Sequence, residues 1–187
     1  MPPKVKTTKE AIVDAAVKIV QKDGPQALNA RTLAAKLGCS TQPIFSHFSG
    51  MEQLRFAVGQ QAEAICRQYM QREIESGAYP TYKATGMAYI RFAKEEKELF
   101  QLLYMRDRSE ETYSPALDFG EEIETLVQQN TGLDAQTVKL FHLEIWACVH
   151  GIATMFATGF VDLPWELVSK MLTDVYQGLR KQYGTED

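Results

Sequence analysis

Histidine and cysteine are scarce in this chain, which holds three of each among 187 residues. Cys39, Cys66 and Cys148 are odd in number and widely scattered. That spacing excludes a disulfide framework and a zinc pattern, and it fits a reducing compartment. None of His47, His142 and His150 has a Glu three residues before it, so the paired Glu-x-x-His motifs of di-iron bundles are missing. A glycine-rich phosphate loop and a nucleophile elbow are also lacking. Acid pairs such as Glu95-Glu96 and Glu110-Glu111 fall at helix ends or in loops and read as solvated. The expectation is a non-enzyme with no metal and no cofactor. No apolar run is read as approaching the ~20 residues that span a bilayer. The opening MPPKVKTTKE has no apolar core of a signal peptide. A cytoplasmic protein with no membrane partner is expected.

What is present is an ordinary globular composition, 45% hydrophobic and 24% charged. The charge is unevenly placed. Residues 1–60 hold eight Lys and Arg against four Asp and Glu, a net +4, which leaves −8 for the remainder. A basic head on an acidic body suits a protein that lays one end on a polyanion.

Periodicity and punctuation read as helix throughout, with no convincing strand. Thr7 with Glu10 predicts a capping box opening a helix whose apolar face is Ile12, Ala16, Ile19 and Val20, closed by Asp23-Gly24-Pro25. A long helix is expected from Ser49 to about Ser76. Others are expected over Thr81–Glu95, Lys97–Tyr104, Ser114 to about Asn130, Asp134–Thr158, and Asp162 or Leu163 to about Gln182. The last two carry Ile152, Met155, Phe156, Val168, Met171, Leu172, Val175 and Leu179, more apolar surface than one thin domain needs. Paired with a second copy they would form a four-helix bundle.

The most specific stretch is Leu28–Leu54, LNARTLAAKLGCSTQPIFSHFSGMEQL. Asn29 is a good N-cap, and Leu28 with Leu33 has the spacing of a hydrophobic staple. Gly38 can end the helix in the left-handed conformation. Ser40 then caps the next helix, with Pro43 in its first turn, and Ser49 with Glu52 forms a capping box for the long one. Leu33, Leu37, Ile44 and Phe48 are apolar anchors between hydrogen-bonding side chains. This is the pattern of a helix-turn-helix, one face on a small core and the other in a DNA groove.

These residues resemble the N-terminal DNA-binding domain of the TetR/AcrR family of bacterial transcriptional regulators. The match runs through Arg31-Thr32-Leu33-Ala34, Leu37-Gly38, Ser40, Ile44-Phe45-Ser46-His47-Phe48 and Leu54. It departs at Phe45, where the family usually has Tyr, and at Gly50 and Met51, where Lys is frequent. Further on, Trp146-x-x-x-His150-Gly151 is similar to the signature of one C-terminal ligand-binding domain type in such regulators. The resemblance implies an all-α protein of about nine helices. Residues 1–50 would be a three-helix DNA-binding domain and residues 51–187 a helical-bundle domain for ligand binding and dimerisation.

At the start of the second short helix, Gln42 can pair with adenine and Thr41 can touch a thymine methyl or a phosphate. Arg31, in the first turn of the helix before, can reach guanine or phosphate. In the family, positions matching Arg31, Thr41, Gln42, Phe45, Ser46 and His47 commonly contact DNA, and Thr32 and Lys6 are backbone-contact candidates. The resemblance also implies an apolar ligand cavity, for which Met87, Tyr89, Phe92, Phe100, Leu103, Phe119, Ile123, Trp146 and His150 are the candidate lining. The expected function is a dimeric repressor on a palindromic operator, released by a small, mostly apolar effector. The alternative is a helical small-molecule-binding or adaptor protein without DNA binding.

Overall fold

The computed structural model describes residues 7–105 and 121–185. Among them are nine α-helices and no strand: α1 Lys9–Asp23, α2 Ala30–Leu37, α3 Gln42–His47, α4 Met51–Ser76, α5 Thr81–Glu95, α6 Lys97–Tyr104, α7 Glu121–Thr131, α8 Ala135–Ala157 and α9 Trp165–Gln182. A single 3₁₀ turn, Pro25–Ala27, follows α1. The α5 and α6 spans are those the sequence predicts. The expected Ser114 start of the seventh helix lies outside the described residues.

Three caps differ from expectation by one residue. Thr8, not Thr7, caps α1, its Oγ1 accepting from Ala11 N–H. Thr41, not Ser40, precedes α3, with no side-chain cap bond. At the head of α4, Gln53 rather than Glu52 reaches back, Oε1 accepting from Ser49 N–H at 2.7 Å. The last helix begins at Trp165, after Pro164.

The chain packs as two compact units, each with its own core. The first runs to Arg67 and takes in the stretch from Glu96 that contains α6. Its centre is α1, whose Ile12, Ala16, Ile19 and Val20 are buried. α1 lies against α2, α3, the 3₁₀ turn and α6. Leu28, Leu33, Ile44, Phe48, Leu54 and Val58 complete the core.

The second unit comprises Gln68–Glu95 with α7, α8 and α9. Here α5 packs on α7, α8 and α9. Gly86 is a point of close approach: a Cβ there would stand 3.3 Å from Val149 Cγ2 and 3.4 Å from Leu172 Cδ1. Tyr82 bonds to His142 and Tyr89 to His150, so the pairing advances in one direction and α5 and α8 run parallel. Contrary to the sequence reading, α8 is long and apolar enough to cross a membrane by length and composition. Its buried stripe, including Val138, Phe141, Ile145, Val149, Ile152 and Phe156, belongs to a helix packed by α5, α7 and α9, the arrangement of a core helix. Of the surplus apolar residues on α8 and α9, Ile152, Phe156, Val168 and Leu172 are buried within the chain. Met155 is 38% exposed, Leu140 49% and Leu167 43%, so an apolar face still remains open.

The Asn29 cap makes the first unit testable. Removing it in Asn29→Ala strands two N–H groups and should cost about 1 kcal/mol. Urea denaturation should show a lower midpoint at an unchanged slope.

Candidate nucleic-acid interface and ligand site

Three local devices position α3. Asn29 Oδ1 accepts from Arg31 N–H at 3.0 Å and Thr32 N–H at 3.1 Å, while Thr32 Oγ1 accepts from Asn29 N–H at 3.2 Å. This reciprocal box fixes the start of α2. Gly38, at φ 64°, then reverses the chain, its N–H and that of Cys39 satisfying the Ala34 and Ala35 carbonyls. Ile44 and Phe48 are buried and pin α3 to the core.

The opposite flank of α3 faces solvent. Gln42, Phe45, Ser46 and His47 are exposed, Phe45 to 46%, and Thr41 is half-buried. Arg31 and Thr32 on α2 are exposed as well. The structure therefore gathers Arg31, Thr32, Thr41, Gln42, Phe45, Ser46 and His47 onto two consecutive short helices. Their side chains have different ties. Thr32 Oγ1 also donates to Ala27 O at 2.7 Å, and Ser46 Oγ donates to Pro43 O at 2.7 Å. His47 Nε2–H donates to Thr7 O at 2.8 Å, fixing the chain just before α1. Arg31 and Gln42 make no side-chain bond among the described residues. The Thr41 hydroxyl is likewise unbonded but half-buried, so Arg31 and Gln42 are the exposed candidates with unspent donors. Lys6 lies outside the described residues.

The ligand candidates divide. Met87, Tyr89 and Phe92 are buried on α5, Ile123 is half-buried on α7, and Trp146 and His150 are half-buried on α8, all in the second unit. Phe100 and Leu103 are buried on α6, in the first unit, with Phe100 against Tyr104 at 5.1 Å. Phe119 lies outside the described residues. Within the second unit Tyr89 Oη is 3.0 Å from His150 Nδ1, and Trp146 stacks on the same imidazole at 4.7 Å and 15°. Phe92 meets Tyr69 edge-on at 5.7 Å.

Sequence reasoning missed a second pair of the same kind. Tyr82 Oη stands 2.7 Å from His142 Nδ1 in a buried setting, flanked by Tyr176 at 6.0 Å from the Tyr82 ring. The signal was available: Tyr82 and Tyr89 are seven residues apart on α5, and His142 and His150 eight apart on α8, each about two helical turns. Burial pushes the Tyr82 phenol up and holds the His142 imidazole down at about 4. Burial lowers His150 as well. Both rings are therefore neutral near pH 7, polar but uncharged tips in an apolar seam.

A short helix that presents exposed donors beside a glycine corner, braced by a third helix, is a helix-turn-helix. Comparisons with known proteins agree. Residues 12–58 match the family model of bacterial regulatory proteins of the tetR family, and residues 82–175 match that of the tetracyclin repressor-like C-terminal domain. Two solved structures from Rhodococcus sp. RHA1 share the fold. One is a protein of unknown function, with a TM-score of 0.72 and 24% identity over 95% of this chain and 98% of that one. The other is a TetR-like transcriptional regulator, with a TM-score of 0.66 and 17% identity over 96% and 98%. No curated protein matches. The chain belongs to the TetR family, whose members are DNA-binding transcriptional regulators rather than enzymes.

The His142 environment sets a pH dependence. The imidazole titrates at about 4 in the fold against an ordinary 6.5, so the unfolded chain takes up the proton first as the pH falls. The neutral ring's contribution to stability is whole above pH 6.5 and is lost as the pH falls from there to about 4. The double variant Tyr82→Phe/His142→Leu should lack this component, read by denaturant unfolding at a series of pH values.

Proposed function

We propose that this protein is a dimeric, ligand-responsive repressor that binds a roughly palindromic operator and is released by a small, mostly apolar effector. The observation that carries the DNA half is the pair of exposed, unspent donors, Arg31 and Gln42, beside the Gly38 corner on a basic head. Gln42 at the first turn of α3 reads a base edge, and Arg31 reads guanine or phosphate. Thr41, Ser46, His47 and Thr32 add backbone contacts, with Lys6 from the preceding segment. Phe45 gives an apolar contact where the family's phenol would reach a phosphate.

Dimerisation uses the open apolar face of α8 and α9 that includes Leu140, Met155 and Leu167. A two-fold pair sets two heads on successive major grooves, about 34–36 Å apart. The effector binds in the second unit beside Tyr89, Trp146 and His150, where stacked rings and neutral polar tips favour an apolar molecule with a few hydrogen-bonding groups. It regulates by preferring one conformation of the dimer over the other, and α4, whose residues belong to both units, carries the coupling. Such a regulator works in the cytoplasm. The contrary reading, a helical binding protein without DNA affinity, draws on Phe45, Gly50 and Met51.

A gel shift with DNA flanking the protein's own gene separates the two. Arg31→Ala and Gln42→Ala should each cost about 1–3 kcal/mol of operator affinity. Size-exclusion chromatography with light scattering should give a dimer for both variants. Wild-type affinity should fall steeply with salt as phosphate contacts release counterions. Unchanged binding by both variants overturns the recognition assignment.

A further inference from the structure

The first unit holds a cleft of about 520 Å³ that the regulator reading does not use. One wall is the end of α1 and the turn after it: Asp23, Gly24, Pro25 and Gln26. The other is a face of α6 made of Glu98, Gln101 and Leu102, continued by Met105 just past the helix end. The intervening Leu99, Phe100 and Leu103 of α6 are buried. All eight lining residues belong to the same compact unit. The volume lies in the range of small-molecule sites, roughly 300–1,000 Å³.

The chemistry of the lining is one-sided. Asp23 and Glu98 supply carboxylates, Gln26 and Gln101 supply carboxamides, and Pro25, Leu102 and Met105 supply apolar surface. No lysine or arginine is among the described residues that line it. Asp23 is the last residue of α1, where the helix dipole and the unsatisfied carbonyls already favour a cation. Glu98 is half-buried, and its carboxylate forms no hydrogen bond or ion pair among the described residues. Its Oε2 lies where a Gly24 side chain would begin, 2.9 Å from the position of a Cβ. Gly24 takes φ 84°, a conformation that side-chain-bearing residues rarely adopt, and the Glu98 carboxylate rests beside this turn.

We infer that this cleft is a binding site for a small organic cation, an amine or amidinium on a short apolar body. Glu98 accepts the charged N–H groups, Asp23 and the α1 carbonyl end add negative potential, and Leu102 with Met105 covers the apolar part. Because α1 packs on α2 and α3 as well as on α6, an occupant bears on the helix that braces the recognition helix. The site is distinct from the effector site proposed beside Tyr89 and His150.

The test uses the intact protein and two probes of one shape, benzamidine as the cation and benzamide as its neutral counterpart, titrated by isothermal calorimetry. Benzamidine should bind once per chain, and benzamide about tenfold or more weakly. Glu98→Gln keeps the side-chain volume and should weaken benzamidine about tenfold, with a smaller loss for Asp23→Asn. Circular dichroism confirms that both variants are folded. Equal binding of the two probes, an unchanged affinity in Glu98→Gln, or no benzamidine binding overturns the assignment. Operator DNA is absent from this measurement, so its failure leaves the regulator reading standing.

Discussion

The first unit depends on one strip of side chains, the buried face of α1. Ile12, Ala16, Ile19 and Val20 form the surface on which α2, α3 and α6 come to rest. The point matters because α3 runs only from Gln42 to His47. A helix that short does not hold together in water, since nucleation consumes most of what its few hydrogen bonds return. Its order comes from outside: Ile44 and Phe48 buried in the core, Gly38 turning the chain, and the His47 ring tied to Thr7 O at 2.8 Å beside the start of α1. The orientation of the exposed flank of α3 is thus a tertiary property. Small residues take part, because Ala15, Ala16 and Ala34 are buried where larger side chains would hold the helices apart.

Much of this was legible from residue order, for identifiable reasons. The corner at Gly38 combines a required backbone conformation with a fixed hydrophobic spacing, and both are local. The α5 and α6 spans are bounded by Pro80 and by the charged junction at Glu95-Glu96, again local signals. The caps slipped because competent residues stand side by side: Thr7 or Thr8, Ser40 or Thr41, Glu52 or Gln53. Which one engages depends on backbone angles that composition does not fix. The grouping of Phe100 and Leu103 with Met87 and Phe92 follows from proximity along the chain. The fold assigns α6 to the first unit and α5 to the second, and nothing in the periodicity of either helix announces that division. The cleft at Gly24 was invisible for the same reason, since its two walls are separated by more than seventy positions.

The second unit uses polarity where its first neighbour uses steric fit. α8 is nearly apolar enough throughout to slide along its partners, because a stripe of Val, Ile and Phe offers similar contacts after a shift of one turn. The Tyr82–His142 and Tyr89–His150 pairs remove that freedom. A slip of one turn, about 5.4 Å, would part both hydroxyls from both imidazoles, in a seam buried at Tyr82–His142 and part-buried at Tyr89–His150. Each group left without its partner would cost on the order of 1–3 kcal/mol. Gly86 acts with them, since its missing side chain lets Val149 and Leu172 come close to α5. The neutral state of the histidines follows from the same burial. A charged ring there would lose its hydration, and that loss is what lowers both imidazoles. Register in this unit is therefore set by a few hydrogen bonds between uncharged groups, while stability comes from the apolar contacts around them. That division explains why two histidines stand on the most apolar of the described helices: each supplies one hydrogen-bonded position, and with it specificity, in an otherwise apolar contact.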